Sequence, residues 1–439
     1  MSAGAGERAW TAAGPADRPL LWLTLALVAF GLLMVYSSSS VLSLVNFERS
    51  HAYLESQAVK AAVGLAAMAA LARLDYHVWP RIAGPLLWAS LGLLALTVVP
   101  GTERIAPEIQ GARRWIALPG FSFQPSEVVK IACVLWIAST VVARTEALDR
   151  FATGPLPLCA PPAAAAGMLV LQPDFGSALF LALVVAATLF LGGVRLRHLA
   201  ALAASAVPLF VWLAVSEPYR LRRLLAFRDP EKYLDSLSYQ VHQSLISLGS
   251  GGLLGVGIGS SRQKFLFLPE AHTDFIFAIV GEELGFLGAG LVLLAFVLLA
   301  RAGARIARRA PDDLGLVLGG GLTALLVLGG LFNIGVATGN LPTTGLTLPF
   351  LSYGATSLTV SLAAVGILLN VSRPRRAADR VLPARRPRAS GGAAPARPLL
   401  PSAAALRSPA ARAGARRARG SRPRPAGSSD RGGVAARIP

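Results

Sequence analysis

"PEAHTDFIFAIVGEELGFLGAGLVLLAFVLLA", residues 269–300, sets carboxylates at the head of an apolar run and two more a few residues inside it. A bilayer core about 30 Å thick takes roughly 20 apolar residues per helical crossing. The run from 273 to 300 has that length, so it reads as a membrane helix whose acidic residues need a reason to be there.

The rest of the chain repeats the pattern. Its 439 residues are 54% hydrophobic and 15% charged, and the apolar residues come in long blocks. Ten blocks of crossing length occur, at approximately 20–37, 57–72, 82–99, 126–143, 155–171, 177–193, 198–215, 273–300, 314–338 and 348–371. The expected fold is therefore all-α and polytopic, with about ten transmembrane helices and a large extracytoplasmic loop, about 216–272, between helices 7 and 8. Residues 1–19 form a cytoplasmic N-terminal segment, 20–371 the membrane domain and 372–439 a tail. The first block is long for a signal peptide and is followed by nine others, which favours a retained helix. Cys133 and Cys159 lie inside apolar blocks and read as small packed side chains.

The net charge of +19 is uneven. Residues 373–439 hold 17 Arg and two Asp, so this segment, rich in Pro, Ala, Gly and Ser, carries +15 of it. Such a composition predicts a disordered extension that meets anionic lipid heads. With no aromatic residue interleaved for stacking, nucleic acid is not an expected partner. Arg73, Arg81, Arg144, Arg150, Arg195, Arg197, Arg301, Arg305, Arg308 and Arg309 fall on the side shared with the tail, which the positive-inside trend makes the cytoplasm. Both termini are then cytoplasmic, and the segments dense in Gly, Pro and polar residues face outward.

Those outward segments hold the candidate site residues. In "QPSEVVK" (124–130), Glu127 and Lys130 share a helix face and Lys130 is carried into the apolar block. The pair could steady the helix entry or serve function, as intramembrane charges often do. Arg113 and Arg114 beside Trp115, and Arg220 and Arg223 in "YRLRRLLAFRDPEK" (219–232), could be interfacial anchors or ligands for a phosphate. "LGSGGLLGVGIGSSRQK" (248–264), ending in Lys264, is no Walker motif; it could be an anion nest or tightly packed Gly-rich backbone. Glu270, His272 and Asp274 fall within five residues. Asp274 could complete a helix cap with His272 or Thr273. A carboxylate there among apolar residues also suits a general base. Glu282 and Glu283, roughly 12 Å deeper along the helix, call for a buried partner or a wet cavity and read as structural or gating groups.

"VYSSSSVLS", "GARRWIALPGFSFQPSEVVKIA", "QPDFGSA", "YQVHQSLISLGSGGLLGVGIGSSRQKFLFLPEAHTDFIFAIVGEELG" and "NIGVATGNLPTTGLTLPFLSYG" together resemble the successive motifs of the bacterial SEDS family (shape, elongation, division and sporulation), whose members include FtsW, RodA and SpoVE. "GSSRQKFLFLPEAHTDF" is closer to the divisome type than to the elongation type. The resemblance implies a ten-helix inner-membrane peptidoglycan glycosyltransferase that polymerises lipid II on the periplasmic face during cell division and releases undecaprenyl pyrophosphate. It also implies a class B penicillin-binding protein, a transpeptidase, as cognate partner, with other divisome proteins. The family's essential aspartate and lysine match Asp274 and Lys130. Gln124, Asp174, Gln243, Ser244 and Ser352, polar residues within the same motifs, join the substrate-binding set. A divalent cation, Mg or Mn, could assist, although no ligand set demands one. "SYGAT" and "LPGF" stand where the family usually has "SYGGS" and "LGPF", which weakens any role for the first turn as a bare-backbone ligand site. A lipid II flippase and a non-catalytic scaffold for the transpeptidase are the competing readings.

Overall fold

The computed structural model describes residues 10–12, 14–109, 111–119, 121–218, 221, 222, 225, 227 and 238–377. The tail from 378 and the cationic residues Arg220 and Arg223 lie outside this set. Ten apolar helices follow the ten apolar blocks: α1 (Arg18–Phe47), α2 (Ala52–Leu71), α3 (Trp79–Leu96), α4 (Pro125–Ala143), α5 (Pro155–Leu171), α6 (Phe175–Leu191), α7 (Leu196–Ser216), α9 (Ile276–Arg309), α10 (Asp313–Ala337) and α11 (Ala355–Val371). Seven are long and apolar enough to cross a membrane, and the 17-residue α5, α6 and α11 lie at the short end of the spanning range. An additional helix, α8 (Tyr239–Ser250), stands within the segment expected to be loop.

Three boundaries depart from the hydropathy reading for local reasons. The serines after the first block extend α1, because Ser38 and Ser39 return their hydroxyls to the carbonyls of Met34 and Val35 and need no water. At the other end of the molecule α9 runs on through "RAGARIARR", whose Arg residues are helical rather than looped. Residues 348–354 are apolar yet not helical: Phe350 takes a φ of 69° and α11 begins only at Ala355.

Long-range hydrogen bonds gather the helix ends into two layers. At one end Asp17 caps α1, holds Arg305 of α9 at 2.8 Å and donates its own N–H to Ser372 Oγ at 2.9 Å. In the same layer Asn370 bridges Tyr76 N–H and Ala72 C=O, and Tyr76 and His77 reach Asp312 at 2.7 and 2.8 Å. Backbone pairing of Trp10–Ala12 with Arg375–Ala377 closes this Arg-rich end. At the opposite end Gln57 of α2 bonds Ser352, Gln124 N–H bonds Thr356, Ser244 bonds Ala337 C=O and Asn333 bonds Asp274 C=O. Asp17 before α1 and Ser372 after α11 meet at the same end, as an even number of crossings requires.

Burial pushes the pKa of the Asp312 carboxyl up, but the bonds from His77, Gly315 N–H and Tyr76 outweigh it and hold the group below the usual carboxylate range. A lowered folded value means stability that is present above about pH 4 and lost as the pH falls further. Asp312→Asn should therefore cost about 2 kcal/mol at pH 7, and the deficit should shrink below about pH 4. Unfolding of the detergent-solubilised variant across that pH range checks it.

Candidate active site at the Gly-rich end

Helix α9 starts later than the apolar pattern suggests. Phe275 is at its N-cap position without a side-chain cap bond, and neither His272 nor Thr273 fills that role. The Thr273 hydroxyl is given instead to Glu270, which has a φ of 54° and turns the chain; Thr273 and Phe275 N–H both bond its carbonyl. This turn presents half-buried Asp274 at the lip of the bundle. Its carboxylate lies beside Gly345, whose φ of 68° suits glycine, and its carbonyl is fixed by Asn333, which also holds Leu346 C=O.

The other face of the same connecting segment covers Lys130. Lys130 is 5% exposed, donates to Glu127 at 2.5 Å, and the pair lines a cavity of about 30 Å³ with Phe180, Leu346, Thr347 and Ser357. That space holds a water or two. Thr344, whose buried hydroxyl has no partner among the described residues, packs on Gly176 at the start of α6, where Asp174 caps the helix through Ser177 N–H. Segment 341–354 thus stands between the carboxylate at the lip and the ammonium beneath it.

A third group adjoins Asp274. Ser352 donates to Thr273 C=O and receives Leu348 N–H, while Tyr353 N–H bonds His272 C=O. The His272 ring packs against Tyr53 and Tyr353, and Lys60 Nζ stands 3.9 Å over the Tyr353 ring. Burial pushes the His272 imidazole below its ordinary range; Glu270 draws it back up and Lys60 pushes it further down. Lys60, Gln57, Tyr53, Tyr353 and Asn333 did not stand out in the sequence. Lys60 had a signal, since it is a charge inside the second apolar block.

Other expected site residues are placed elsewhere. Arg113 is tied to Glu103 and Val99 C=O in its own loop, and Arg114 is docked on the carbonyls of Gln172 and Pro173. Half-buried Gln124 is at the start of α4, and Gln243 lies on α8 beside Ser244, which is fully buried against α10. Lys264 is 7% exposed and turned inward, toward Gly259 C=O and Glu283. Among the described residues no three His, Cys, Asp or Glu side chains gather as a metal site.

The Gly-rich segment proves to be tightly packed backbone rather than an open nest. Gly285, with φ 66° and ψ −165°, breaks α9, and the freed groups pair with the segment: Val256 and Gly257 N–H bond Glu282 and Glu283 C=O, and Phe286 and Leu287 N–H bond Gly252 and Leu253 C=O. A Cβ at Gly255 would stand 2.1 Å from Glu283 C=O, so only glycine fits. The two side chains complete the clamp. Glu283 accepts from Ser37 at 2.6 Å, with Lys264 at 3.8 Å, and Glu282 accepts from Ser247, Ser261 and Arg262 N–H. Leu253 and Leu254, over 70% exposed beside Phe286, give the strap an apolar outer surface.

The model of the cell cycle protein family FtsW/RodA/SpoVE matches residues 18–377. The probable peptidoglycan glycosyltransferase FtsW of Trichlorobacter lovleyi is 43% identical over 356 residues, which cover 81% of this chain and 93% of that protein. Stage V sporulation protein E of Bacillus subtilis is 39% identical over 360 residues, covering 82% and 98%. Among solved structures, a chain from a peptidoglycan synthase complex that coordinates polymerization and crosslinking superposes with a TM-score of 0.66 at 32% identity, covering 82% of this chain and 98% of that one. The rod shape determining protein RodA of Thermus thermophilus gives 0.58 at 30% identity, covering 82% and 97%.

Proposed function

The chain belongs to the FtsW/RodA/SpoVE family, with the peptidoglycan glycosyltransferase activity for which its relatives are named, and from that premise we propose that it polymerises lipid II on the outer face of the inner membrane during cell division. The observation that carries this reading is the placement of Asp274 against the Gly345 turn, with the Lys130–Glu127 pair beneath the same segment.

Asp274 takes the proton from the 4-hydroxyl of the acceptor's N-acetylglucosamine as that oxygen attacks the anomeric carbon of the donor's N-acetylmuramic acid. The bond to pyrophosphate breaks and undecaprenyl pyrophosphate leaves. Lys130, Lys60 and Arg114 are described cations at this end that could balance the developing charge. A divalent cation at this site would draw on Asp274 or Glu270 and on pyrophosphate oxygens. The polyprenyl tails stay in the bilayer while the sugars meet at its surface.

The orientation that suits this chemistry puts both termini and the Arg-rich end in the cytoplasm. By analogy with the solved synthase complex, a cognate class B penicillin-binding protein supplies the crosslinking activity, and other divisome proteins place the pair at the septum. A flippase would need a polar path through the bundle, and Glu282 and Glu283, the residues that suggested one, are occupied by protein donors.

The test is glycan synthesis from purified lipid II by the protein alone and with its cognate transpeptidase. Long strands in either condition are the expected result. A protein that makes no strands in either condition but moves lipid II across vesicles overturns the polymerase reading.

A further inference from the structure

The proposed reaction joins two lipid-linked sugars, and each arrives with its own pyrophosphate. Lys130 stands beneath segment 341–354 on the α4 side, bound to Glu127 at 2.5 Å. A second ammonium approaches the same segment from α2. Lys60 Nζ stands 3.9 Å from the centroid of the Tyr353 ring, and among the described residues no oxygen accepts from it. A cation–π contact offsets only part of the cost of holding a half-buried ammonium away from water. Lys60 therefore keeps three N–H donors to give.

The flank of α2 suits an anion carried by a lipid. This helix starts at Ala52, at the Asp274 end, and its 20 residues span about 30 Å, the thickness of the hydrocarbon core. Lys60 lies about 12 Å along it, and its stem leans back toward the helix start, which brings the ammonium toward the headgroups. Val59 and Val63, 66% and 57% exposed, adjoin it on the outer surface of α2 and form an apolar track for a hydrocarbon chain. On the inner side Ser56 and Tyr353 bring their hydroxyls within 3.2 Å, and Gln57 donates to Ser352 C=O and accepts from Gly354 N–H, which fixes the turn.

Separation from Asp274 selects between the two pyrophosphates. Between Lys60 and Asp274 come the Tyr353 ring, the His272 ring with its centroid 5.4 Å away, and Thr273. A leaving pyrophosphate must adjoin the reacting carbon, close to the base. The acceptor's pyrophosphate stays bonded and lies a disaccharide away from the hydroxyl that Asp274 deprotonates, which suits a cation one aromatic layer removed. An ordinary anionic phospholipid would bring a phosphate but no sugars to span that layer.

We propose that Lys60, with the Ser56 and Tyr353 hydroxyls, binds the pyrophosphate of the acceptor lipid II, whose polyprenyl chain lies along Val59 and Val63. The assignment rests on the polymerase reading. It gives Lys60 the anion that is retained and leaves Lys130 and Arg114 for the one that departs.

Native mass spectrometry of the detergent-solubilised full chain, titrated with lipid II, tests this. Every form carries Asp274→Asn, so that no product accumulates during the titration. The parent should take up two lipid II molecules. Lys60→Met, which keeps the stem and removes the charge, should weaken one of the two steps on the order of tenfold and leave the other as it is, and Lys60→Arg should restore most of the loss. Phosphatidylglycerol should bind the parent and Lys60→Met alike, and Arg104→Gln, which removes an exposed cation of the outer loop, should bind lipid II like the parent. With Asp274 in place, Lys60→Met should raise KM for lipid II on the order of tenfold and change kcat little. A parent that binds one lipid II, or two unchanged steps in Lys60→Met, would overturn the assignment. So would an equal loss of phosphatidylglycerol or an equal effect of Arg104→Gln, either of which makes the attraction one of diffuse charge. A loss shared by Lys60→Arg would make Lys60 a packing residue, and a fall in kcat at unchanged KM would move it to the leaving group; both reject the proposal. The titration involves no turnover, so its outcome stands apart from any failure to polymerise.

Discussion

Asp274→Asn and Asp274→Ala should each lower glycan polymerisation from lipid II by on the order of 10²–10⁴-fold, the range that a positioned general base contributes. Asn keeps the size of the side chain beside Gly345 and cannot accept the proton, so its loss isolates the chemistry from the packing. The fold should hold in both variants, because the local structure is anchored by main-chain and neighbouring groups: Asn333 on the Asp274 carbonyl, Ser352 on the Thr273 carbonyl and Thr273 on Glu270. Unchanged unfolding temperature and unchanged binding of the transpeptidase, with lost polymerisation, are the expected combination. Wild-type rates in Asp274→Asn would reduce the residue to a turn former and remove the base from the mechanism.

The ten crossings were legible because the bilayer imposes a length that no soluble core demands, and apolar blocks of that length are hard to mistake. Their ends were less so. Hydropathy stops at Ala300, whereas the helix continues for nine residues to Arg309, since backbone hydrogen bonds do not depend on side-chain polarity. The carboxylate at 274 stood out because it heads an apolar run beside Glu270 and His272. What it faces did not, because Gly345 lies far along the chain and reaches it only through the packing of α9 on α10.

The Gly-rich segment shows the limit most clearly. Its spacing suits an anion nest and a backbone strap equally well, and the choice between them rests on backbone pairing with α9 at the Gly285 break, with Ser37, 246 residues from Glu283 in sequence, completing the clamp. Ser37 satisfies Glu283, and Ser247, Ser261 and Arg262 N–H satisfy Glu282, two inner glutamates that sequence could mark as costly but not as satisfied. Lys60 is the opposite case: its signal was present in the second block and its neighbours, Tyr353 and His272, gave that signal meaning only in the fold.

If the strap is held as described, Glu283→Ala should be among the most destabilising single substitutions in the membrane domain. Glu283 is fully buried, and its removal leaves Lys264, 6% exposed by side chain, without its carboxylate and strips Ser37 of its acceptor. Removing one member of a buried pair costs about 3–5 kcal/mol, which should lower the unfolding midpoint by roughly 5 °C or more. Glu283→Gln should cost less, because the amide oxygen still accepts from Ser37. The double variant Glu283→Ala/Lys264→Met should recover much of the loss, since the stranded charge goes with its partner. Polymerisation reads a different consequence. The strap runs through Lys264 into the turn that carries Asp274, so Glu283→Ala should slow the reaction even at temperatures where the protein stays folded. A stable but slow Glu283→Ala/Lys264→Met would separate the two roles, stability coming from charge balance and rate from the position that the clamp gives Asp274. Full stability of Glu283→Ala alone would show that the strap is held by its backbone ladder to α9, with the carboxylate contributing nothing to it.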